Sequence, residues 1–254
     1  VELKMSTDFH TIVYTQANGV ATVTLNRPER LNAFNQLMCE EIHAVWQRVR
    51  DDNDIRVVVL RAAGDRAFCS GVDMKDGVPL STNPWHRRDP GDLLRPKASG
   101  VYKPVVAAVR GLAAGGAFYL LGEADLIISE PGAQFFDPHV SVGLAAVLEP
   151  ILLTRRLPLG EVLKLALMGS AERMTADRAL ELGLLAEIVE SDRLDDRAHQ
   201  IATTLAGLDP LAVQGTVRAI WESLDRGRTA ALDAALPYTV LGNLNSPMAP
   251  RPGS

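Results

Sequence analysis

The chain has 254 residues, 47% hydrophobic and 22% charged, with a formal net charge of −5. That composition describes a globular protein long enough for a substantial core, and its acidic balance gives no reason to expect nucleic acid or an anionic membrane as a partner. The two cysteines, Cys39 and Cys69, make no disulfide framework, no apolar run approaches the ~18 residues of a membrane span, and the start of the chain lacks a signal peptide's apolar core, so a cytoplasmic location is the expectation.

Thr11 to Tyr14 and Val20 to Leu25 alternate as β-strands do, and Ala17-Asn18-Gly19 between them is a hairpin signal. After the turn Asn26-Arg27-Pro28-Glu29-Arg30, a helix is predicted from about 36 to 50. Leu37, Ile42, Val45, Trp46 and Val49 form its apolar face. Val57-Val58-Val59-Leu60 is a continuous apolar run, as in a strand covered on both faces. Between Asp76 and Tyr102, Pro79, Pro84, Pro90 and Pro96 break regularity into a long loop. Trp85-His86-Arg87-Arg88 within it reads as a solvated basic patch rather than a ligand site.

Val105 to Val109 is a buried strand, and Gly111, Gly115 and Gly116 lead from it towards an apolar helix. Asp125 to Ile128 is the next strand. Glycines at a strand-to-helix turn leave backbone N–H groups uncovered, which suits a phosphate or a carbonyl becoming an enolate. Strand, helix and strand recur, so crossover units around a mostly parallel sheet are expected. Beyond Phe135-Phe136-Asp137-Pro138-His139 the chain turns helical, with segments at about 147–156, 160–167, 176–182, 193–205, 211–224 and 229–241. The predicted organisation is a core over 5–191, a C-terminal helical region over 192–245 and a tail over 246–254.

Ala67-Phe68-Cys69-Ser70-Gly71-Val72-Asp73-Met74 also places a glycine beside small residues at a strand end, so it can present a second backbone donor. Two donors converging on one point form an oxyanion hole for a thioester enolate. With Asn26-Arg27-Pro28, Leu31-Asn32-Ala33, KPVVAAVRGLAAGG, ADLIIS and MTADRALELGLLAEIV, the chain resembles the crotonase superfamily of enoyl-CoA hydratases and isomerases over about residues 11–190. The resemblance implies an α/β fold, a spiral of repeated ββα units, with a C-terminal helical region that helps assemble trimers or dimers of trimers. It implies an acyl-CoA thioester as substrate, with coenzyme A part of that substrate and no separate cofactor or metal. By position, the oxyanion donors would be the amides of Val72 and Gly116. Arg27, Leu31, Ser70, Asp73 and Met74 would face the CoA adenine and phosphates.

Two departures bear on the chemistry. Where the family's hydratases carry one glutamate three residues after the oxyanion glycine and another just after a later proline, this chain has Tyr119 and His139. Leu144-Ala145-Ala146-Val147-Leu148-Glu149-Pro150 replaces the P-G-x-G-G run that usually follows. A phenol near pKa 10 is a poor base, whereas histidine near 6.5 serves as acid or base. His139 is therefore the first candidate for proton transfer, with Tyr119 as a hydrogen-bond donor. Glu149 is a supporting carboxylate or simply a helix-start charge. The expected function is an enolate-forming acyl-CoA enzyme that is not a standard two-glutamate hydratase. Isomerisation, thioester hydrolysis and C–C cleavage stay open, and the competing reading is an acyl-CoA binder without catalysis. The five histidines have no ligand spacing, and no dinucleotide, phosphate-loop or nucleophile-elbow signature is present.

Overall fold

The computed structural model describes residues 4–6, 9–77, 85 and 89–241. The strands of the first half are β1 (Lys4–Ser6), β2 (Ile12–Ala17), β3 (Val20–Leu25), β4 (Val57–Ala62), β5 (Ala67–Cys69) and β6 (Val105–Val109). They are followed by β7 (Leu112–Ala114), β8 (Leu126–Ser129), β9 (Gln134–Phe136), β10 (Met174–Thr175) and β11 (Glu187–Ile188). The helices are α1 (Gln36–Asp51), α2 (Ala117–Leu121), α3 (Leu148–Leu153), α4 (Leu159–Met168) and α5 (Ala176–Glu181). The last four are α6 (Leu194–Ala206), α7 (Pro210–Ser223), α8 (Arg228–Ala235) and α9 (Tyr238–Leu241).

Among the described residues the strands form two sheets. The larger runs β1-β2-β3-β4-β6-β8-β11, antiparallel through the β2–β3 hairpin and parallel from β3 onward. The smaller runs β10-β9-β7-β5, with β5, β7 and β9 parallel. Three strands of the large sheet are thus each followed by a short strand of the smaller one: β4 by β5, β6 by β7, β8 by β9. This two-strand repeat corrects the simpler strand–helix–strand expectation. The glycines after β6 lead first into β7, and only then into the five-residue α2.

Period-2 alternation decides what covers the large sheet. Val58, Leu60, Val105, Ala107 and Val109 face one side, with α1, α2 and the smaller sheet. Val57, Val59, Val106, Ala108 and Ile128 face the other and meet Leu194, Ala198, Ala202 and Ala206 of α6. Both faces are dry, as the unbroken apolar run at Val57 predicts. The alanine stripe of α6 therefore makes that helix one wall of the core, continuous with the strands before residue 191.

Helix α1 starts where Asn35 accepts a hydrogen bond from the Met38 amide, an N-cap. Its buried face carries Met38, Cys39, Ile42, Val45, Trp46 and Val49, whereas Leu37, expected on that face, is 40% exposed. The predicted 229–241 helix is two, α8 and α9, because Pro237 removes a backbone donor between them. A 3₁₀ turn at Pro90–Leu94 orders part of the long loop, and Trp46 donates to its Leu94 carbonyl at 2.9 Å. Trp85 of the basic stretch is exposed, and His86, Arg87 and Arg88 lie outside the described residues, as does the predicted tail.

Candidate active site

Strand β5 ends at Cys69, and Gly71, at φ 93°, turns the chain through a conformation that side chains disfavour. Phe34 and Val72 then form an isolated parallel bridge. Phe34 N–H donates to the Gly71 carbonyl at 2.9 Å, and Asp73 N–H donates to the Phe34 carbonyl at 2.8 Å. Those bonds belong to Val72's neighbours, so its own N–H points away from Phe34. On the facing loop, Gly115 N–H donates to the Phe136 carbonyl at 3.1 Å, and Gly116 stands at the first turn of α2, where an amide has no intrahelical acceptor. Neither the Val72 nor the Gly116 amide donates to a backbone acceptor among the described residues. A Cβ on Gly71 would sit 3.3 Å from Gly116 N, and one on Gly116 only 2.4 Å from the Phe34 ring. The two expected oxyanion donors are thus brought together by close backbone contact.

Beside them lies a cluster of four titratable side chains. The chain leaving β9 makes a tight turn at Asp137-Pro138-His139, where buried Asp137 accepts the His139 backbone N–H at 3.0 Å and lies 2.5 Å from Nδ1. A carboxylate can only accept, so Nδ1 carries the proton and Nε2 is left as the basic nitrogen. Nε2 lies 3.7 Å from Glu149 Oε1, too far for a direct hydrogen bond. Glu149, on the first turn of α3, is 7% exposed at its side chain against 23% for His139. Tyr119, on α2, is buried, and its phenol feels the charges of the Glu149 and Asp89 carboxyl groups.

These neighbours shift the acidities. The hydrogen bond His139 donates to Asp137 holds its imidazolium above the usual range, against the opposing effect of burial. Burial pushes the Glu149 carboxyl up, more than the nearby His139 lowers it. Burial, then the charges of Glu149 and Asp89, push the Tyr119 phenol far up, so it stays neutral and acts only through hydrogen bonds. Asp137 keeps one oxygen, Oδ2, buried without a hydrogen-bond partner among the described residues, which favours a positive charge on the adjacent ring.

The expected catalytic residues Val72, Gly116, Tyr119, His139 and Glu149 therefore fall on two touching loops and the helices beside them. The expected CoA-facing residues gather at the end of β5. Ser70 N–H donates to the Leu31 carbonyl at 3.1 Å, and Met74 is 80% exposed. Arg27 and Asp73 spend their charges on one another at 2.9 Å, while the Lys75 amide also donates to Asp73 and holds its carboxyl below the usual range. Sequence reasoning missed Asp137 and Asp89. Asp137 carried a signal, since Asp-Pro-His lets an aspartate accept from the amide two residues on. Asp89 carried none, lying in the irregular loop.

Asp137, His139 and Glu149 bring one ligand atom each within 4.8 Å of one another.

Comparison with known proteins agrees with this geometry. The family described as enoyl-CoA hydratase/isomerase matches residues 15–239. The chain is 37% identical over 206 residues to (E)-benzylidenesuccinyl-CoA hydratase of Thauera aromatica, covering 80% of this chain and 79% of that protein. It is 33% identical over 225 residues to 1,2-epoxyphenylacetyl-CoA isomerase of Escherichia coli, covering 86% and 83%. A crystal structure of an enoyl-CoA hydratase/isomerase from Mycobacterium paratuberculosis superposes with a TM-score of 0.84 at 39% identity, covering 92% of this chain and 90% of the other. With the paired amides, the two-sheet repeat and these matches together, the chain belongs to the enoyl-CoA hydratase/isomerase family of the crotonase superfamily.

Proposed function

We propose that this protein adds water reversibly across the C2–C3 double bond of an α,β-unsaturated acyl-CoA thioester. The observation that carries the reading is the 3.7 Å gap between His139 Nε2 and Glu149 Oε1, a base and an acid beside two free amides. One water oxygen about 2.8 Å from each atom fits such a gap. The thioester oxygen accepts from Val72 and Gly116. His139 takes a proton from the water as its oxygen bonds to C3, and the double-bond electrons move through C2 to the carbonyl, giving the enolate. Glu149 then gives its proton to C2, and the carbonyl re-forms. Proton transfer from the His139 imidazolium to Glu149 through the next water resets the pair. In the reverse direction the two groups exchange roles. The family's hydration chemistry is retained with a different pair of groups, so the departures at Tyr119 and His139 do not abolish it. The relatives' names, with hydratases and an isomerase among them, agree with enolate chemistry on a thioester.

The test is a panel of α,β-unsaturated CoA thioesters, straight-chain and aryl-substituted, incubated in ¹⁸O-water and read by mass spectrometry. A 3-hydroxyacyl-CoA carrying the label is expected. Products that gain no label, or binding without turnover across the panel, overturn the reading in favour of isomerisation or of a non-catalytic acyl-CoA binder respectively.

A further inference from the structure

The Val72 and Gly116 amides come from different strand ends, and Phe34, from neither strand, touches both. Its main chain brackets Val72: Phe34 N–H donates to the Gly71 carbonyl, and Asp73 N–H donates to the Phe34 carbonyl. Its ring reaches the other donor. A Cβ on Gly116 would collide with Cε1 and Cζ of Phe34, so the ring edge occupies the volume a side chain would need there. The Tyr119 ring flanks the same glycine, with Cδ2 3.5 Å from that Cβ position. At 3% exposure, Phe34 has no room to turn its ring elsewhere.

The residues on either side hold Phe34 in place. Asn32 sits at φ 52°, a left-handed conformation that asparagine tolerates better than most residues. Its buried side chain donates to the carbonyls of Ala63 and Ala67 at 2.9 and 2.8 Å, and accepts the Arg27 N–H at 2.9 Å. That ties the approach to Phe34 to the end of β4 and the start of β5. On the other side Asn35 caps α1. Phe34 is therefore a spacer between fixed points, with its main chain against one amide's loop and its ring edge against the other amide's residue.

We infer that Phe34 is a positioning residue of the oxyanion hole: its main chain holds the Val72 loop, its ring seats Gly116, and its length sets the separation of the two amides. An oxyanion needs both donors within about 2.7–3.1 Å, so a small change in that separation disengages one. The inference rests on Val72 and Gly116 as the thioester's donors. It does not depend on which bond of the substrate then reacts.

The test is isotope-edited infrared spectroscopy of [1-¹³C]butyryl-CoA bound to the whole protein. A saturated thioester has no double bond to hydrate, so the band reads carbonyl polarisation without turnover. In the unmodified protein it should lie below its frequency in water. Phe34→Leu keeps the main-chain bonds and an apolar side chain but falls short of Gly116. It should give up part of that shift, and Phe34→Ala about half, as one of two donors disengages. Turnover of an unsaturated thioester should fall in the same order, ~10²-fold for Phe34→Ala, with the loss in kcat rather than KM. Val49→Ala truncates the same core on α1 and should leave the band where it was. An unmoved band in Phe34→Leu overturns the inference whether or not Phe34→Ala folds. So does an equal shift in Val49→Ala, which would mean general loosening of the core. An unmodified protein whose bound carbonyl keeps its frequency in water removes the two donors, and the role of Phe34 with them. Failure of the ¹⁸O experiment with these band shifts intact would remove hydration alone.

Discussion

At the scale of single residues, the Asp137 contact is what makes His139 a base of defined orientation. A histidine free in water has two interchangeable nitrogens; here the 2.5 Å contact commits Nδ1 and aims Nε2 at Glu149. The same contact raises the imidazole's affinity for a proton, so the acid limb of kcat/KM should lie above pH 6.5. Asp137→Asn keeps a hydrogen-bond acceptor but removes the charge. The limb should move down towards or below pH 6.5, and turnover should fall ~10²-fold or more as the ring loses its orienting partner. Stability follows the same sign. A group whose folded-state pKa is raised contributes stability that is complete below its unfolded value and lost as pH rises through the folded one. Asp137→Asn should therefore cost more stability at pH 6 than at pH 8, measured by chemical denaturation. An acid limb unmoved by the substitution would show that His139 does not titrate in the catalytic cycle.

At the scale of elements, the site depends on how closely two strand ends approach. Gly71, at the end of β5, lies against Ala114-Gly115-Gly116, at the end of β7. Gly71→Ala would place a methyl 3.2 Å from the Ala114 carbonyl and 3.3 Å from Gly116 N, at a φ of 93°. Strand pairing elsewhere should survive, but the two amides should separate. We expect ~10²-fold loss in kcat/KM, the lower end for losing one oxyanion donor. A folded variant with unchanged kinetics would remove Val72 from the site. This geometry also shows which features were legible beforehand. Of the large sheet, β2, β3, β4, β6 and β8 announce themselves by pattern, as do α1 and most later helices, because each buries a face several residues long. The three-residue β1 and two-residue β11 carry no such pattern. The short strands β5, β7 and β9 do not; three residues are too few for a period, and pairing with one another holds them in place. Tyr119 and His139 could be placed only through the resemblance. Whether Glu149 turned inward depended on the packing of α3 against α2, which its own sequence does not encode. Asp89 comes near the site only because Gly91 of the same turn packs against the Tyr119 ring, in a loop with no regular pattern.

At the scale of the whole molecule, exposed apolar residues among those described include two stripes at helical spacing. On α4, Leu159, Leu163 and Leu167 follow at intervals of four and are 65%, 48% and 68% exposed. Along α8, its cap residue Leu236 and α9, Leu232, Leu236 and Val240 are 62%, 67% and 57% exposed at the same interval. Spacing of four puts each α4 set on one helix face, and water is a poor neighbour for either stripe. A two-fold dimer needs one self-complementary patch, whereas a closed ring of three joins two different patches head to tail. Two distinct stripes fit the ring, so we propose a trimer, or two trimers paired, in which the α4 stripe of one chain meets the α8–α9 stripe of the next. Light scattering should give the mass of three or six chains, and a single-chain mass at micromolar concentration would refute the assembly. Leu163→Glu and Leu232→Glu each damage one patch, and each alone should break every junction in the ring. Mixed together, they leave one intact junction per pair, the α4 stripe of the Leu232→Glu chain on the α8–α9 stripe of the Leu163→Glu chain. Cross-linking of the mixture should then recover a two-chain species and nothing larger. Two-chain species from either variant alone would instead mean that each stripe pairs with its own copy, an isologous contact that cannot build a ring of three.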